Sequence, residues 1–179
     1  VGAHLRAWEV PEAQIVELDW WESWSKDDLT LTATPARHFS GRGLERDKTL
    51  WASWSIRGKE KRVFFGGDTG LTEQFEAIGE KEGPFDITLM PIGAYDPMWA
   101  DIHLNPEEAV KSHAMVRGDL MIPIHWGTFR LAIHDWFEPP ERLISAVANT
   151  DHSIAIPMPG QPVDINAPPA VERWWDIGK

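Results

Sequence analysis

Apolar and polar residues alternate with a period of two in several short stretches of this chain, and such alternation predicts β-strands. The clearest example is the stretch 29–34, in which Leu29, Leu31 and Ala33 fall on one face. Strands are predicted over residues 14–18, 29–34, 50–56, 62–65, 85–92, 120–124 and 153–158. A turn at 58–60 is expected to join two of these strands as a hairpin.

Helix signals fall mainly between the later strands. The strongest is Asn105-Pro106-Glu107-Glu108, which places a capping Asn, a first-turn Pro and two acids at the positive end of a helix. Helices are predicted over residues 3–8, 71–78, 105–116 and from Pro139 or Pro140 to 149. Strand hairpins followed by alternating strands and helices indicate an α/β fold, although periodicity does not choose among the folds of that class.

The remaining stretches are predicted to be irregular. Residues 20–26 are interpreted as a turn region, and residues 40–48, which include the sequence Gly41-Arg42-Gly43, as a loop. Residues 159–179 contain several prolines and end near Trp174 and Trp175, so we expect a tail packed on the body of the domain. No internal repeat or low-complexity linker interrupts the chain.

Composition narrows the function classes. A chain of 179 residues is long enough for one domain with a sizeable core. Its net charge of −11 argues against sequence-independent nucleic-acid binding and against general adhesion to anionic membranes. With no cysteine, any metal must be held by His, Asp or Glu. No apolar run approaches the ~20 residues that cross a bilayer, and we expect a cytoplasmic protein. The chain starts at Val1 rather than Met, so we expect residues to precede it.

Three strand-like runs each end in a good metal ligand. The first ends in His38, the second runs into Asp68 within a Gly-rich turn, and the third ends in His125. Strand ends of α/β proteins commonly meet at one rim, and two His with one Asp suit a divalent metal such as zinc. The simpler interpretations are that Asp68 caps a helix starting at Leu71 and that His38 is a half-buried strand residue.

The other histidines carry weaker signals. His103 lies in a loop near Tyr95 and Trp99, where it is either a substrate-facing acid, base or oxyanion donor, or a surface residue. His113 is expected to pack within a helix, and His134 to line an entrance or lie in an exposed loop. The two remaining histidines, His4 and His152, are interpreted as surface residues. The chain has no nucleophile elbow, P-loop or dinucleotide fingerprint.

Several of these segments carry a likeness to a known family. They lie between about residues 30 and 130: Thr34-Pro35-Ala36-Arg37-His38-Phe39-Ser40, Leu50-Trp51-Ala52-Ser53-Trp54, Gly66-Gly67-Asp68-Thr69-Gly70, Met90-Pro91-Ile92-Gly93-Ala94-Tyr95, His103-Leu104-Asn105-Pro106-Glu107-Glu108-Ala109 and Ile124-His125-Trp126-Gly127-Thr128-Phe129. In that order they resemble the metallo-β-lactamase fold superfamily. The resemblance is closer to the branch of N-acyl phosphatidylethanolamine-hydrolysing phospholipase D and bacterial ascorbate-6-phosphate lactonase.

This resemblance implies an αββα four-layer sandwich and hydrolysis at two metal ions. By it, His38 and His125 would each ligate one zinc, with manganese or iron as substitutes, and Asp68 would bridge both. His103 would share the catalytic role with Asp68 as an active-site His beside the metals. Tyr95, Trp99 and His103 would lie near the substrate. Metals held close together activate a water and stabilise the attacked phosphorus or carbonyl centre.

One departure from the family changes the expectation. The family supplies four further ligands from a His-x-His-x-Asp-His motif, which this chain does not contain. We therefore expect residues 1–179 to form a single metallo-hydrolase domain that corresponds to the C-terminal portion of the family's fold, incomplete at its N-terminus. Three ligands from the matching positions would hold one metal rather than a pair.

Four functions remain open at this point. The first is a zinc-dependent hydrolase acting on a phosphodiester or related ester of a small molecule or a lipid. The second is a lactonase for a phosphorylated sugar acid. The third is an inactive fragment or half-subunit that pairs with an N-terminal segment or a second copy, because half a sandwich exposes one apolar sheet face. The fourth is a metal-independent structural domain.

Overall fold

Seven strands form one mixed sheet in the computed structural model, which describes residues 1–41 and 44–177. Chain order and sheet order coincide. The strands are β1 Ser23–Lys26, β2 Leu29–Thr34, β3 Ser53–Arg57, β4 Arg62–Phe65, β5 Phe85–Pro91, β6 Gly118–Ile124 and β7 Ser153–Ile154. Strands β1 to β4 pair antiparallel, and β4 to β7 pair parallel. The predicted α/β class is confirmed.

Four α-helices accompany the sheet among the described residues. They are α1 Gly2–Ala7, α2 Gln74–Lys81, α3 Pro106–Met115 and α4 Glu138–Val147. Short 3-10 turns lie at Glu12–Gln14 and Pro97–Trp99. The predicted helix 71–78 starts late, at Gln74, because the Leu71 carbonyl accepts from the Arg37 guanidinium and the Gly70 N–H donates to the Arg37 carbonyl. Among the described residues, no helix is both long and apolar enough to span a bilayer.

Some predicted elements near the N-terminus and the sheet edge were wrong. The stretch 14–18 is not a strand, because Glu17 is held by the Gly2 N–H and by Arg6. Part of the predicted turn region 20–26 is strand β1, which pairs with β2 and links Ser23 to Thr32 through their hydroxyls. The predicted strand 50–56 starts only at Ser53, and the predicted strand 153–158 ends at Ile154. Residues 42 and 43 of the predicted loop 40–48 lie outside the described residues.

The core lies on one face of the sheet. One register row crosses six strands and is buried along nearly its whole length, and it consists of Thr32, Ser55, Phe64, Thr88, Met121 and Ile154. Phe64 and Met121 of this row pack in one apolar cluster with Phe75 of α2, Val110 of α3 and Leu143 of α4. Helices α2 to α4 therefore cover this face.

The opposite face is apolar but only partly buried. We define the open face by eight side chains that alternate with the buried row, Leu31, Trp54, Ile56, Val63, Phe65, Ile87, Leu89 and Ile122. None of the eight belongs to the core cluster formed by the described residues. The described part of the chain thus provides a sheet with helices on one side, which is two layers of the expected four.

The end of the chain packs on the core. Trp175 is fully buried, and its indole N–H donates to Glu141 of α4 at 2.9 Å. Its ring meets Trp126 edge-on at 5.8 Å between centroids, and Trp174 lies tilted against Trp126 at 5.2 Å. The residue before Trp126 is His125, so the tail supports the strand end that carries a predicted metal ligand.

The α3 capping box contributes measurably to stability. The Asn105 side chain accepts from the Glu108 N–H, and the Glu108 side chain accepts from the Asn105 N–H. We expect Asn105→Ala to lower the free energy of unfolding by about 1 kcal/mol, because the Glu108 N–H loses the side-chain oxygen that accepts from it. Urea denaturation measures this change. Asn149→Ala, at an exposed position beyond α4, is the control, and an equal loss in both variants would contradict the role of the cap.

His113 makes the fold sensitive to acid. Its ring is fully buried, with Nδ1 2.7 Å from the Thr88 hydroxyl. Burial, with a smaller contribution from His152, lowers the pKa of His113 to about 4. As the pH falls from the ordinary value of about 6.5, the unfolded chain takes up a proton that the folded chain does not, so stability is lost.

We therefore expect the free energy of unfolding to fall by roughly 3 kcal/mol between about pH 7 and about pH 4 from this group alone. Denaturant titrations across that range measure it. His113→Asn keeps a partner for Thr88 but does not ionise, and it should give a flatter pH profile. Profiles with the same slope in both proteins would show that His113 is not the group responsible.

Candidate metal centre

Backbone hydrogen bonds bring three separated segments to one place. The Arg37 N–H donates to the Thr69 hydroxyl at 2.9 Å, and the Gly70 N–H donates to the Arg37 carbonyl at 2.8 Å. The Leu104 N–H donates to the Thr69 carbonyl at 3.0 Å. At Gly70 a Cβ atom would lie 2.0 Å from the Asp101 carbonyl oxygen, so only glycine lets these chains approach so closely. The neighbours of these bonded residues are His38, Asp68 and His103.

Asp68 is the centre of this cluster. Its Oδ2 lies 3.2 Å from His38 Nε2 and 3.4 Å from His125 Nε2, and its Oδ1 lies 3.2 Å from His103 Nε2. The exposed fraction is 38% for the Asp68 side chain and 30% for that of His125, against 16% for His38 and 13% for His103. The structure thus brings together the three predicted ligands and adds His103 to them. Asp68 does not cap α2, whose N-cap residue is Glu73.

Backbone carbonyls orient the imidazole rings. His38 Nδ1 lies 2.8 Å from the Phe39 carbonyl oxygen, and His103 Nδ1 lies 2.5 Å from the Ala94 carbonyl oxygen. His125 has a backbone hydrogen bond to Gly93. Because a carbonyl only accepts, Nδ1 of His38 and Nδ1 of His103 each carry a proton, and the Nε2 atom of each ring faces Asp68. This is the arrangement that metal-binding histidines use.

The strand end that carries His125 is held in an uncommon conformation. His125 has φ 61°, and Ala94, in the loop after β5, has φ 59°. Residues other than glycine avoid this left-handed region, and such outliers often occur at functional sites. Gly93 allows the two loops to touch, because a Cβ atom there would lie 2.3 Å from the His125 carbonyl oxygen.

The electrostatics of the cluster follow from this packing. Burial raises the pKa of Asp68, but the imidazole rings of His103, His125 and His38 beside the carboxylate outweigh it and hold that pKa below its ordinary value. The Asp68 carboxylate in turn raises the pKa of His38 and of His125, against the opposing effect of burial. The Asp68 carboxylate therefore stays negatively charged among three imidazole rings, and this arrangement favours binding of a cation.

The donor atoms fit a divalent metal. His38 Nε2 and Asp68 Oδ1 are buried and make no hydrogen bond within the described part of the chain. His38, Asp68 and His103 each offer one ligand atom, and these atoms lie within 4.8 Å of one another. A cation between them would satisfy both unpaired atoms, and histidine with carboxylate is a donor set that zinc accepts.

Comparison with known proteins shows the family to which this chain belongs. The sequence profile of the family described as "Beta-lactamase superfamily domain" matches residues 1–126. The chain belongs to the metallo-β-lactamase superfamily. The predicted family is thereby confirmed, and so is the predicted fold class of the sheet and its helices.

Relatives within the metallo-β-lactamase superfamily point to one branch. An uncharacterised protein of Mycobacterium tuberculosis is 54% identical over 99% of this chain and 48% of its own length. N-acyl-phosphatidylethanolamine-hydrolyzing phospholipase D 1 of Caenorhabditis elegans is 42% identical over 72% of this chain and 39% of its own length. This chain spans about half the length of the first of these relatives and less of the second.

A solved structure shows the same fold. Igni18, a metallo hydrolase from Ignicoccus hospitalis, superposes with a TM-score of 0.61 at 24% identity, covering 82% of this chain and 58% of its own. The Caenorhabditis elegans relative and Igni18 are both hydrolases, and Igni18 is a metallo hydrolase.

In this member of the metallo-β-lactamase superfamily, the backbone of Ala94 holds three rings beside the metal cluster. The Ala94 carbonyl accepts from His103 Nδ1 and, at 2.7 Å, from the Trp99 indole N–H. The Ala94 N–H donates to His134 Nε2 at 3.0 Å. Trp99 thus contacts the backbone that orients His103, and its predicted contact with substrate stays a prediction. His134 is half-buried at a cavity wall, as the entrance interpretation expected.

Tyr95 faces a second cavity, of about 850 Å³, which His103 also lines. Its hydroxyl donates to Glu138 at 2.8 Å, and the Arg142 guanidinium lies 4.7 Å from its ring centroid. Burial, reinforced by Glu138, raises the pKa of Tyr95 above its ordinary value, so the phenol stays protonated. Sequence reasoning missed Glu138 and Arg142, because α4 reaches this cavity only through the tertiary fold.

An apolar rim borders the site. A cavity of about 520 Å³ is lined by His125 together with Phe129, Leu131 and Trp136. These three side chains are exposed, and Ile133 beside them is exposed as well. Sequence reasoning did not identify this rim, although apolar residues at every second position directly after a candidate ligand were an available signal. Two of the other histidines lie as predicted, with His113 packed in α3 and His4 exposed. The interpretation of His152 as a surface residue was wrong, because its ring is partly buried against His113.

Proposed function

We propose that this chain carries the metal-binding residues of a zinc-dependent hydrolase in which activated water attacks a phosphodiester or ester bond. The observation that carries the proposal is the convergence of three imidazole Nε2 atoms on the Asp68 carboxylate, within 3.2 to 3.4 Å. Three histidines around one carboxylate, each ring oriented by a backbone group, are more order than chance packing of surface residues supplies.

In this proposal His38, Asp68 and His125 hold the metal. When bound, a divalent metal supplies Lewis-acid activation of water and of the bond to be cleaved. Imidazole-rich sites suit zinc or iron better than manganese, which prefers carboxylate and water oxygens. Asp68 keeps its negative charge across the neutral range because the surrounding histidines hold its pKa down. His103, Tyr95 and Trp99 would face the substrate side of the site.

The rim supports a substrate with an apolar portion. Phe129, Leu131 and Trp136 border the cavity that reaches His125, which suits a lipid or another apolar ester. The Caenorhabditis elegans relative is a phospholipase D, a class of enzyme that cleaves phosphodiesters, which favours the same type of bond. Binding of a phosphorylated sugar acid requires cationic side chains that are free to contact the phosphate, whereas Arg142 is already paired with Glu107 and Glu138.

Hydrolysis of bis(p-nitrophenyl) phosphate by the zinc-loaded chain tests this function, with a p-nitrophenyl ester and a simple lactone as competing substrates. We expect zinc-dependent release of p-nitrophenol from the diester, its loss on chelation, and its loss in His38→Ala. His4→Ala, at an exposed position remote in sequence, should behave as the parent. Release that survives both chelation and His38→Ala would contradict the assignment, and preference for the lactone would favour the lactonase alternative.

A second candidate is a half-subunit that needs a partner, and the open face favours it. Large apolar surfaces that lie partly exposed mark interfaces. We propose as occupant a complementary sheet, from an N-terminal segment or from a second copy of this chain. Sedimentation velocity of the parent chain and of Ile56→Lys tests this. Concentration-dependent association that Ile56→Lys abolishes supports pairing of copies. A monomer at all concentrations contradicts pairing of copies and leaves the N-terminal segment as the occupant.

A further inference from the structure

We propose that the imidazole ring of His134 is a specificity-determining wall between two unlike cavities beside the Asp68 cluster. Its role in substrate selection rests on the hydrolase function proposed above. In that function, an apolar group and a polar group of one substrate lie on different sides of the His134 ring.

Two cavities meet at His134. His125 lines the cavity of about 520 Å³, and His103 lines the cavity of about 850 Å³. Among the described residues, His134 alone lines both. The chain directly before it divides in the same way, since Ala132 lines the smaller cavity and Ile133 the larger one. The segment that carries His134 therefore runs between the two spaces.

Three contacts fix the His134 ring in this position. Its Nε2 accepts from the Ala94 N–H at 3.0 Å, so the ring proton sits on Nδ1, which donates to the Asp135 carbonyl at 3.0 Å. The ring stacks on Tyr95 at 4.4 Å between centroids, with 21° between the planes. The Tyr95 hydroxyl is in turn held by Glu138 at 2.8 Å. A half-buried ring with both nitrogens bonded and one face stacked is a fixed wall.

The two cavities differ in the groups that they can accept. The smaller one combines the apolar rim with one side chain of each charge, Arg130 and Asp135. Three carboxylates and one guanidinium line the larger one, namely Asp96, Glu108, Glu138 and Arg142. That guanidinium is already paired with two carboxylates. The larger cavity therefore repels a second anion and suits an amine or a hydroxyl, whereas the smaller one suits an apolar group.

Tyr95 reports on the larger cavity, because it lines that cavity and is the single tyrosine of the chain. Labelling the tyrosine Cζ atom with ¹³C therefore gives one NMR signal. We expect titration of the metal-free chain with n-octanol to shift the methyl signals of Leu131, in the smaller cavity, and to leave the Tyr95 signal unmoved. In His134→Ala the Tyr95 signal should shift at the same octanol concentrations. His134→Phe retains a ring that can stack on Tyr95 and should behave as the parent, as should His4→Ala at an exposed position.

A Tyr95 signal that moves with octanol in the parent, or that stays unmoved in His134→Ala, overturns the proposal. Octanol that leaves the Leu131 signals of the parent unmoved also overturns it, because the smaller cavity then takes up no apolar group. If His134→Ala does not fold, His134→Asn replaces it with the same expectation. Its amide oxygen can accept from the Ala94 N–H while the ring is absent.

Hydrolysis by the zinc-loaded chain measures the role of His134 in specificity. The substrates are 3-aminopropyl p-nitrophenyl phosphate and butyl p-nitrophenyl phosphate, which have nearly the same shape. With the nitrophenyl group in the smaller cavity, the second ester group faces the larger one. We expect the parent to prefer the aminopropyl ester, and His134→Ala to lower the ratio of the two kcat/KM values roughly tenfold, because the butyl group then reaches apolar surface.

An equal ratio in the parent and in His134→Ala overturns the role in specificity. Failure of the hydrolase function has a different signature. An octanol response of Tyr95 that appears only when the His134 ring is removed, in a chain that hydrolyses neither diester, upholds the wall and refutes the hydrolase function. Hydrolysis by a parent chain in which octanol reaches Tyr95 supports the hydrolase function and refutes the wall.

Discussion

Asp68→Asn is expected to weaken divalent metal binding by more than ~100-fold, which exceeds the effect of losing a supporting residue around a metal. All three imidazole Nε2 atoms of the cluster lie 3.2 to 3.4 Å from this one carboxylate. An amide of the same shape keeps the packing but removes the negative charge that draws a cation into the site. Metal-dependent hydrolysis should be lost with it.

The same variant has a readout that needs no metal. The carboxylate of Asp68 raises the pKa of His38 and of His125, so in Asp68→Asn both values should fall toward or below their ordinary value. Histidine NMR titration of the metal-free protein measures this shift. Asp101→Asn is the matched control, because Asp101 is close in sequence to His103 but exposed and paired only with Arg37 among the described contacts. Unmoved histidine titrations and retained metal in Asp68→Asn would refute the assigned site.

Trp175→Ala is expected to lower the free energy of unfolding by about 3–5 kcal/mol, the range for removing a large buried aromatic ring. Trp175 is fully buried and belongs to the core cluster, although it lies near the end of the chain. The substitution leaves a cavity beside Trp126 and removes the hydrogen bond to Glu141. Because Trp126 follows His125, metal affinity should fall as well.

The control for this prediction is an exposed tryptophan. Trp8 is 73% exposed, and Trp8→Ala should change stability by less than about 0.5 kcal/mol. Chemical denaturation of both variants measures the two effects. Equal and small losses in the two proteins would mean that residues after β7 are not part of the cooperative fold.

The sequence was informative where local chemistry decides the structure. The capping box of α3 depends on Asn105, Pro106 and Glu108, which are neighbours in the chain, and the helix forms where these residues predict it. The ligand candidates His38 and Asp68 were also predictable, because each follows an apolar run whose end is a strand end in the sheet. Both signals need only a few adjacent residues, so a single sequence contains them.

The sheet faces could not be assigned in the same way. Alternation in β2 and β3 correctly separated two faces, but it could not say which one the helices would cover. In the structure the small polar residues Thr32 and Ser55 are buried, whereas Leu31 and Ile56 lie on the open face. The position of packed layers depends on the whole topology, and a period of two carries no information about it.

The arrangement around His103 depends equally on distant residues. Its ring is oriented by Ala94 and flanked by His38 and His125, and these four residues come from four segments of the chain. No spacing rule connects them. The strand β1 was missed for a related reason, because its polar sequence forms a strand only through pairing with β2.

The backbone of Ala94 has a consequence for engineering. It holds His103, Trp99 and His134 through its N–H and carbonyl alone, so none of these bonds depends on the identity of the side chain at position 94. That side chain borders the cavity that reaches His125. Gly and Asn at this position, residues that accept a φ of 59°, would therefore reshape the cavity while leaving the orientation of the ring intact. Position 94 thus offers a way to alter substrate selectivity separately from metal affinity.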